Sequence, residues 1–300
     1  MSKLGSRKKG PLVFLDYDQR ELDAAYDQAA WAHNQREVGQ RVAQKNAAAR
    51  RRLGEPRRFS YGDTDAERLD VYTTQQLDAP IGVYIHGGSW RFGDAAGCAY
   101  QAEMYVDRGA HFIALDFTNV VATEGDMRPL AEQVRRGVAW VYEHAERFGG
   151  DRDRIYVSGH SSGGHLAAVV HTTDWHKDYG LPRDVVKGGI CASGMYDLYP
   201  VALSSRREYV TLPTDVVEAL SPMRHIDRIS APLIVAYGTA ETPEFQRQSR
   251  ELAAALEEAG KSAALVVAEG YNHYEIAEDF GHPYGPLGRA ILEQMSLGTS

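Results

Sequence analysis

The sequence has little cysteine, no long apolar run and no excess of positive charge, and each shortage excludes a class of protein. With only Cys98 and Cys191, a disulfide framework is not expected and the reducing cytoplasm is the default location. No apolar stretch approaches the roughly 20 residues of a membrane span, and the run at residues 11–15 is too short for the core of a signal peptide. Acidic residues outnumber basic ones by 41 to 33, whereas a nucleic-acid partner requires a basic face. We therefore expect no membrane and no nucleic-acid partner.

What is present is the composition of an ordinary globular protein, 43% hydrophobic and 25% charged, which can bury a large core. Residues 1–58 are predicted to form an N-terminal helical arm that contributes to a lid. In this segment apolar side chains recur at helical spacing, and the helix breakers Gly54 and Pro56 follow. Residues 59–300 are predicted to form one domain, with residues 197–221 as the other candidate for a short lid.

From residue 59 onwards, short apolar runs alternate with helical stretches. The main runs are at residues 81–85, 112–117, 155–157, 189–192, 233–237 and 264–267. The helical stretches are at residues 130–148, 166–171 and 245–259. Continuous apolar strands separated by amphipathic helices are typical of a mainly parallel sheet that is covered by helices on both faces. The sequence therefore predicts an α/β fold.

The strongest motif is Gly-His-Ser-Ser-Gly at residues 159–163, which follows an apolar strand and precedes a helix. In a nucleophile elbow, a serine occupies a tight turn between a strand and a helix, and small residues two positions before and after it prevent clashes. Gly159 and Gly163 meet that requirement around Ser161. The free N–H groups at the start of the helix favour negative charge near the serine oxygen. Ser161 is therefore the candidate nucleophile.

A second glycine motif, His-Gly-Gly-Ser-Trp at residues 86–90, also follows an apolar strand. Adjacent glycines let backbone N–H groups turn toward a substrate carbonyl oxygen. We expect Gly87, Gly88 and Ser89 to form an oxyanion hole together with the backbone N–H of Ser162. A plain glycine turn is the alternative, and the position of the motif before the elbow favours the oxyanion hole.

The base is expected late in the chain, because this architecture places its serine, acid and histidine in that order. Of eleven histidines, only His273 and His282 follow the last apolar run. His273 lies in the loop predicted directly after that run and is the candidate general base, whereas His282 is assigned to a surface loop. His86, His160 and His165 lie near the site in sequence, and we expect them to shape it through hydrogen bonds.

The acid is less narrowly defined, because the strand at residues 233–237 runs into a loop with two glutamates and no aspartate. Glu241 falls three residues after Gly238, at the usual place, and a glutamate can orient a histidine as an aspartate does. Glu244 precedes a helix and could instead complement its dipole. The position favours Glu241, with Glu244 as the alternative.

These motifs resemble those of the α/β-hydrolase superfamily, in the group related to hormone-sensitive-lipase-like carboxylesterases. More narrowly they resemble the arylformamidases (kynurenine formamidases), which pair His-Gly-Gly-x-Trp with Gly-His-Ser-x-Gly-x-His-Leu. That family also carries Ser-Gly-x-Tyr/Phe-Asp-Leu, matched by residues 193–198, and Ser-Pro-Glu-Phe-x-Arg-Gln-Ser, matched by Thr-Pro-Glu-Phe-Gln-Arg-Gln-Ser at residues 242–249. The family's acid immediately precedes the latter segment, which places Glu241 in its position, although aspartate is usual there.

The resemblance implies a serine hydrolase that needs no metal or organic cofactor. Ser161 would attack an acyl carbonyl, His273 would carry the proton and Glu241 would hold the histidine. The implied partner is a small-molecule acyl ester or amide, with aryl formamides and aryl esters as the first expectation. A general short-chain carboxylesterase without a dedicated formamide substrate is the alternative. A binding protein that keeps the fold without turnover is disfavoured, because the motifs are complete.

Three residues near these motifs are candidates for substrate binding, namely His160, Trp90 and Tyr196. For Trp90, stacking on an aryl leaving group and packing of its own loop are both open. Core packing is the alternative for Tyr196. A homo-oligomer is left open by the sequence.

Overall fold

The computed structural model describes residues 9–298, and an eight-stranded sheet forms its centre. The strands of the chain are β1 (Leu12–Phe14), β2 (Tyr17–Asp18), β3 (Arg57–Ser60), β4 (Arg68–Tyr72), β5 (Ala79–Ile85), β6 (His111–Leu115), β7 (Gly150–His160), β8 (Val186–Ala192), β9 (Leu233–Gly238) and β10 (Ala263–Ala268). The order in the central sheet is β10-β9-β8-β7-β5-β6-β4-β3. Neighbours from β10 to β6 are parallel, whereas β4 runs antiparallel to both β6 and β3. The predicted mainly parallel sheet is confirmed.

Helices cover both faces of this sheet. They are α1 (Gln19–Ala25), α2 (Gln35–Leu53), α3 (Ala102–Asp107), α4 (Arg128–His144), α5 (Ser162–His171), α6 (Trp175–Tyr179), α7 (Tyr199–Leu203), α8 (Thr214–Leu220), α9 (Pro243–Glu258), α10 (His273–Asp279) and α11 (Pro286–Gln294). Because side chains alternate along a strand, Val83 of β5 packs in the core shared with α4, α5 and α9, while the adjacent Tyr84 packs in the core shared with α3, α10 and α11. The predicted α/β fold is confirmed.

The segment that precedes the sheet is a small antiparallel hairpin of β1 and β2 followed by α1 and α2. A capping box starts α1, since the side chains of Asp18 and Glu21 each accept a hydrogen bond from the other's backbone N–H. Leu22 is fully buried and joins the main core. Further along, Asn46 donates from Nδ2 to the carbonyl of Gly97 at 2.8 Å. The arm is thus packed onto the domain.

The parallel strands bring the motifs of the sequence to one edge. The glycine motif follows β5, the elbow follows β7, the two glutamates follow β9 and His273 follows β10. Carboxyl ends of parallel strands meet at the same edge of a sheet, where open α/β sheets bind their ligands. Among residues 9–298, the structure contains no helix of the length and apolarity that a membrane crossing requires.

Candidate active site

Ser161 occupies a strained turn between β7, which ends at His160, and α5, which begins at Ser162. Its backbone has φ 58° and ψ −125°, a conformation that non-glycine residues rarely adopt and that is characteristic of functional sites. The flanking glycines are sterically required. A Cβ atom on Gly159 would lie 2.2 Å from the Gly163 carbonyl oxygen, and one on Gly163 would lie 2.1 Å from that of Ile85. The local sequence therefore folds as the nucleophile-elbow motif predicts.

His273 lies beside this serine, with its Nε2 2.8 Å from Ser161 Oγ. The side chain is buried, with 7% of its surface exposed. The sequence predicts a loop at this position, whereas the structure has His273 as the first residue of α10. Asn272 explains the difference, because its side chain caps the helix and forms a capping box with Glu275. The cap fixes the backbone from which the imidazole projects.

Glu241 completes the hydrogen-bonded row, with Oε1 2.5 Å from His273 Nδ1. Its other oxygen, Oε2, accepts hydrogen bonds from Ser193 Oγ and from the backbone N–H of Gly238, both at 2.7 Å. The carboxylate is fully buried. Donors on both oxygens stabilise and orient a charged carboxylate. The distances thus arrange serine, histidine and glutamate in the geometry of a catalytic triad.

Glu244 is also fully buried, but its hydrogen-bond partners do not include His273. It accepts two hydrogen bonds of 2.7 Å from the guanidinium of Arg247, and further bonds from Tyr26 Oη and Gln248 Nε2 at 3.2 Å. From the sequence, Glu244 could simply complement the dipole of the helix that follows it. The structure instead gives this glutamate an ion pair with Arg247 of the same helix and a hydrogen bond from Tyr26, which joins the arm to α9.

The loop after β5 has the geometry of an oxyanion-binding loop. Gly88, Ser89 and Trp90 all have positive φ, at 118°, 57° and 59°, and a Cβ atom on Gly88 would lie 2.2 Å from the Phe92 carbonyl oxygen. Within residues 9–298, no protein acceptor is found for the backbone N–H groups of Gly88, Ser89 or Ser162. Unpaired donors held in a strained loop beside a nucleophile are suited to a developing oxyanion.

Gly87 brings this loop against the nucleophile. A Cβ atom built on Gly87 would lie 2.8 Å from the His160 carbonyl oxygen and 3.3 Å from Ser161 Cβ. A larger residue would therefore push the loop away from the elbow.

The other histidines shape the surroundings. The ring of His160 lies 4.4 Å from that of His273, and burial together with that neighbour lowers the pKa of His160 well below its usual value. His165 donates a hydrogen bond from Nε2 to the Leu220 carbonyl oxygen at 2.8 Å. His86 stacks on Phe117 with ring centres 4.4 Å apart. His282 is exposed and takes no part in the site.

Trp90 and Tyr196, expected to bind substrate, both lie in the core. Trp90 is 2% exposed and meets His165 edge-on at 5.4 Å. Tyr196 is fully buried, and its hydroxyl accepts a hydrogen bond from the Gly194 backbone at 3.1 Å. Neither side chain borders the cavity over Ser161, because both are occupied by packing. For these two residues the expected substrate-binding role is therefore corrected to packing. His160 lines the cavity, and its role in substrate binding stays a prediction.

A cavity of about 980 Å³ opens over Ser161 and His273, a size that suits a small-molecule substrate. One wall is the oxyanion loop. The arm and the segment after α7 also line it, with Asp27, Gln28, Arg206 and Tyr209 among their residues. The sequence predicts both segments as lids, but it does not indicate which of their side chains line the cavity. It also missed Ser193, although the Ser-Gly-x-Tyr-Asp-Leu motif contains it.

One group of potential metal ligands occurs in the described part of the chain, namely His160, Glu241 and His273, whose ligand atoms lie within 4.8 Å of one another. Both ring nitrogens of His273 are already engaged, one by Ser161 and one by Glu241. The group therefore fits a proton-transfer row better than a metal site.

The chain is similar to known hydrolases in sequence and in fold. The BD-FAE family model matches residues 69–187. A kynurenine formamidase of Danio rerio is 33% identical over 242 residues, covering 78% of this chain and 80% of the relative. One from Salmo salar is 29% identical and covers 93% and 97%. A crystal structure of a thermostable esterase from Pseudomonas putida superposes with a TM-score of 0.66 at 19% identity, over 94% and 95% of the two chains.

Proposed function

The chain belongs to the kynurenine formamidase family, and on that premise we propose that it hydrolyses small aryl formamides or aryl esters through an acyl-enzyme on Ser161. The observation that carries the proposal is the row formed by Ser161, His273 and Glu241. Its two contacts are 2.8 Å and 2.5 Å long and run in the order that serine hydrolysis needs.

In the first half-reaction, Ser161 Oγ attacks the acyl carbon while His273 Nε2 takes the hydroxyl proton. The tetrahedral intermediate collapses when the bond to the leaving nitrogen or oxygen breaks, and His273 passes its proton to that atom. The aryl amine or phenol then departs, and the acyl or formyl group stays on Ser161. In the second half-reaction, water attacks the ester with His273 again as the base, and the acid or formate leaves.

Glu241 supports both steps through the other imidazole nitrogen. Its Oε1 accepts from Nδ1–H, so Nε2 is left free to accept the serine proton. Ser193 and the Gly238 backbone hold Oε2, which prevents the carboxylate from turning away. A glutamate thus serves where a shorter aspartate is usual.

The oxyanion that forms on the substrate is assigned to the backbone N–H groups of Gly88, Ser89 and Ser162. These donors have no acceptor within the described chain, and Gly87 holds their loop against Ser161. Each preorganised donor of this kind typically contributes about 10²–10³-fold to kcat. Substitution at residue 162 is tolerated in this scheme, because only its backbone takes part.

A general short-chain carboxylesterase remains the second candidate, favoured by the esterase of Pseudomonas putida with the same fold. Comparing kcat/KM for N-formylkynurenine and for p-nitrophenyl acetate separates the two. The formamidase assignment predicts the higher value for N-formylkynurenine. Turnover of the acetate with no measurable release of formate would instead establish the general esterase.

We also propose a cytoplasmic location and a small-molecule partner. Cys98 and Cys191 are both buried and unpaired, which suits a reducing compartment. Burial raises the pKa of both thiols, so neither is a reactive thiolate. Detection of the protein in a secreted or membrane fraction would contradict this location.

A further inference from the structure

Arg206 is a buried cation in the wall of the cavity over Ser161. It lies in the turn at Ser205–Glu208 and is 7% exposed. No other Lys or Arg side chain of residues 9–298 is buried to this degree. Its Nη1 donates to Tyr209 Oη at 2.7 Å and its Nη2 to the Tyr26 carbonyl at 3.3 Å. Its Nε is buried and has no hydrogen-bond partner.

No carboxylate of the described chain lies within 4.0 Å of the Arg206 guanidinium. The other buried charges near the site differ in this respect, since Glu244 pairs with Arg247 and Glu241 with His273. Burying an ion without a counter-ion is costly, and buried charges are normally paired. Arg206 is therefore a buried cation that is suited to bind an anion at the cavity.

A second guanidinium reaches the same place. Arg91 stacks on the ring of Tyr209 with its Cζ 3.9 Å from the ring centre, while Arg206 holds the hydroxyl of that tyrosine. Arg91 also has a buried Nε without a partner and no carboxylate within 4.0 Å among residues 9–298. Both arginines border the cavity. Two unpaired cations thus meet at one tyrosine in a protein of net charge −8.

Aromatic rings hold the Arg206 guanidinium in place. Its Cζ lies 5.5 Å from the ring centre of Tyr26 and 5.9 Å from that of Trp90. A guanidinium fixed between rings presents a planar pair of N–H donors with little loss of side-chain entropy. Such a fork matches a carboxylate in geometry and charge.

We propose that Arg206, assisted by Arg91, binds a carboxylate on the leaving portion of the substrate. This inference rests on the proposed function, and it narrows the substrate class to aryl formamides or aryl esters that carry an anionic group. The carboxylate would lie at the two arginines while the scissile carbonyl lies against Ser161 and Gly88, since all four residues line the same cavity. Trp90 contributes by supporting the guanidinium from the core.

The test uses two matched pairs of substrates. The first is N-formylkynurenine and its neutral carboxamide. The second is 3-acetoxyphenylacetate and 3-acetoxyphenylacetamide. In each pair the readout is the ratio of kcat/KM for the carboxylate to that for the carboxamide, measured for wild type, R206M, R91M and the control R207M. Arg207 is the exposed neighbour of Arg206.

We expect wild type to prefer the carboxylate, and R206M to lower the preference ratio by about 10- to 100-fold, mainly through KM. R91M should lower it less, and R207M should leave the ratio unchanged. An unchanged ratio in R206M, or a wild type without preference in either pair, would overturn the inference. If R206M does not fold, the preference ratio is measured in R91M and R206K instead. A ratio equal to that of wild type in both variants would then overturn the inference.

The ester pair separates this inference from the proposed function. A wild type that cleaves neither formamide but still prefers 3-acetoxyphenylacetate through Arg206 contradicts the formamidase assignment and supports the carboxylate site. A wild type that releases formate from both formamides at equal rates supports the assignment and refutes the carboxylate site.

Discussion

Glu241 holds His273 with one oxygen at 2.5 Å and is itself held by two donors on the other oxygen. Glu244, three residues further on, holds Arg247 instead. Glu244 also accepts a hydrogen bond from Tyr26 of the arm, so the two glutamates have separate tasks, one in the site and one in the attachment of α9 to the arm. This separation can be measured with substitutions that preserve side-chain shape.

Glu241→Gln should lower kcat by up to about 10⁴-fold, because an amide favours the wrong imidazole tautomer. Glu241→Asp should retain partial activity, since the shorter side chain keeps the charge but not the reach.

Glu244→Gln should keep most of the activity and lower the free energy of unfolding by about 1–3 kcal/mol, because Arg247 loses a charged partner. Measuring kcat and Tm for the three variants checks these expectations. An inactive Glu244→Gln with a normal Glu241→Gln would move the acid to residue 244.

The arm is expected to stabilise the loop that carries Glu241. Gln28 donates from Nε2 to Thr242 Oγ1 at 3.1 Å and accepts from the Thr242 backbone N–H at 3.2 Å. Gln28→Ala leaves that buried N–H without an acceptor, which should cost about 1–3 kcal/mol of stability. Because Thr242 adjoins Glu241, kcat should fall at temperatures where the variant is still folded.

The matched control for the arm is Gln40→Ala, an exposed position on α2. It should change neither Tm nor kcat. Wild-type kcat in folded Gln28→Ala would show that the arm does not act on the acid loop.

Stability should fall in acid because neutral histidines are buried. Burial lowers the pKa of both His165 and His171 to about 4, whereas an unfolded histidine titrates near about 6.5. Between these values the unfolded chain binds more protons than the folded chain, so the free energy of unfolding declines as the pH is lowered through that interval. Above about pH 6.5 these groups contribute no pH dependence.

Thermal unfolding at pH 7.5 and pH 5 measures this effect, and Tm should be lower at pH 5. His171→Gln should reduce the difference between the two values, whereas His176→Gln, at an exposed position, should not. Identical pH dependence in His171→Gln and wild type would refute the assignment to buried histidines.

Much of the fold and of the triad follows from local sequence. The apolar runs that became β5, β6 and β9 are continuous because both faces of those strands are buried. The elbow can be recognised in the sequence because a side chain at position 159 or 163 would clash with the backbone, so both positions require glycine. The order of serine, acid and histidine along the chain then leaves two positions for the general base, His273 and His282. In the structure His273 is the one that contacts Ser161.

Other features depend on contacts that a local pattern does not contain. β10 is apolar in sequence, yet Leu265 and Val267 are 42% and 43% exposed, because this strand forms the edge of the sheet. β3 is charged and short, and only its pairing with β4 makes it a strand. Arg206 is charged in sequence and gives no sign of burial, since its environment comes from Tyr26 and Trp90, which are far away along the chain.

The most direct test of the account is covalent labelling of the serine. A fluorophosphonate probe should add once to the protein, and digestion with mass spectrometry should place the adduct on Ser161. Ser161→Ala should fold, take up no label and lose about 10⁶-fold in kcat, whereas Ser162→Ala should be labelled and remain active. A folded Ser161→Ala variant that keeps more than a small fraction of wild-type turnover, or an adduct on another residue, would contradict the mechanism.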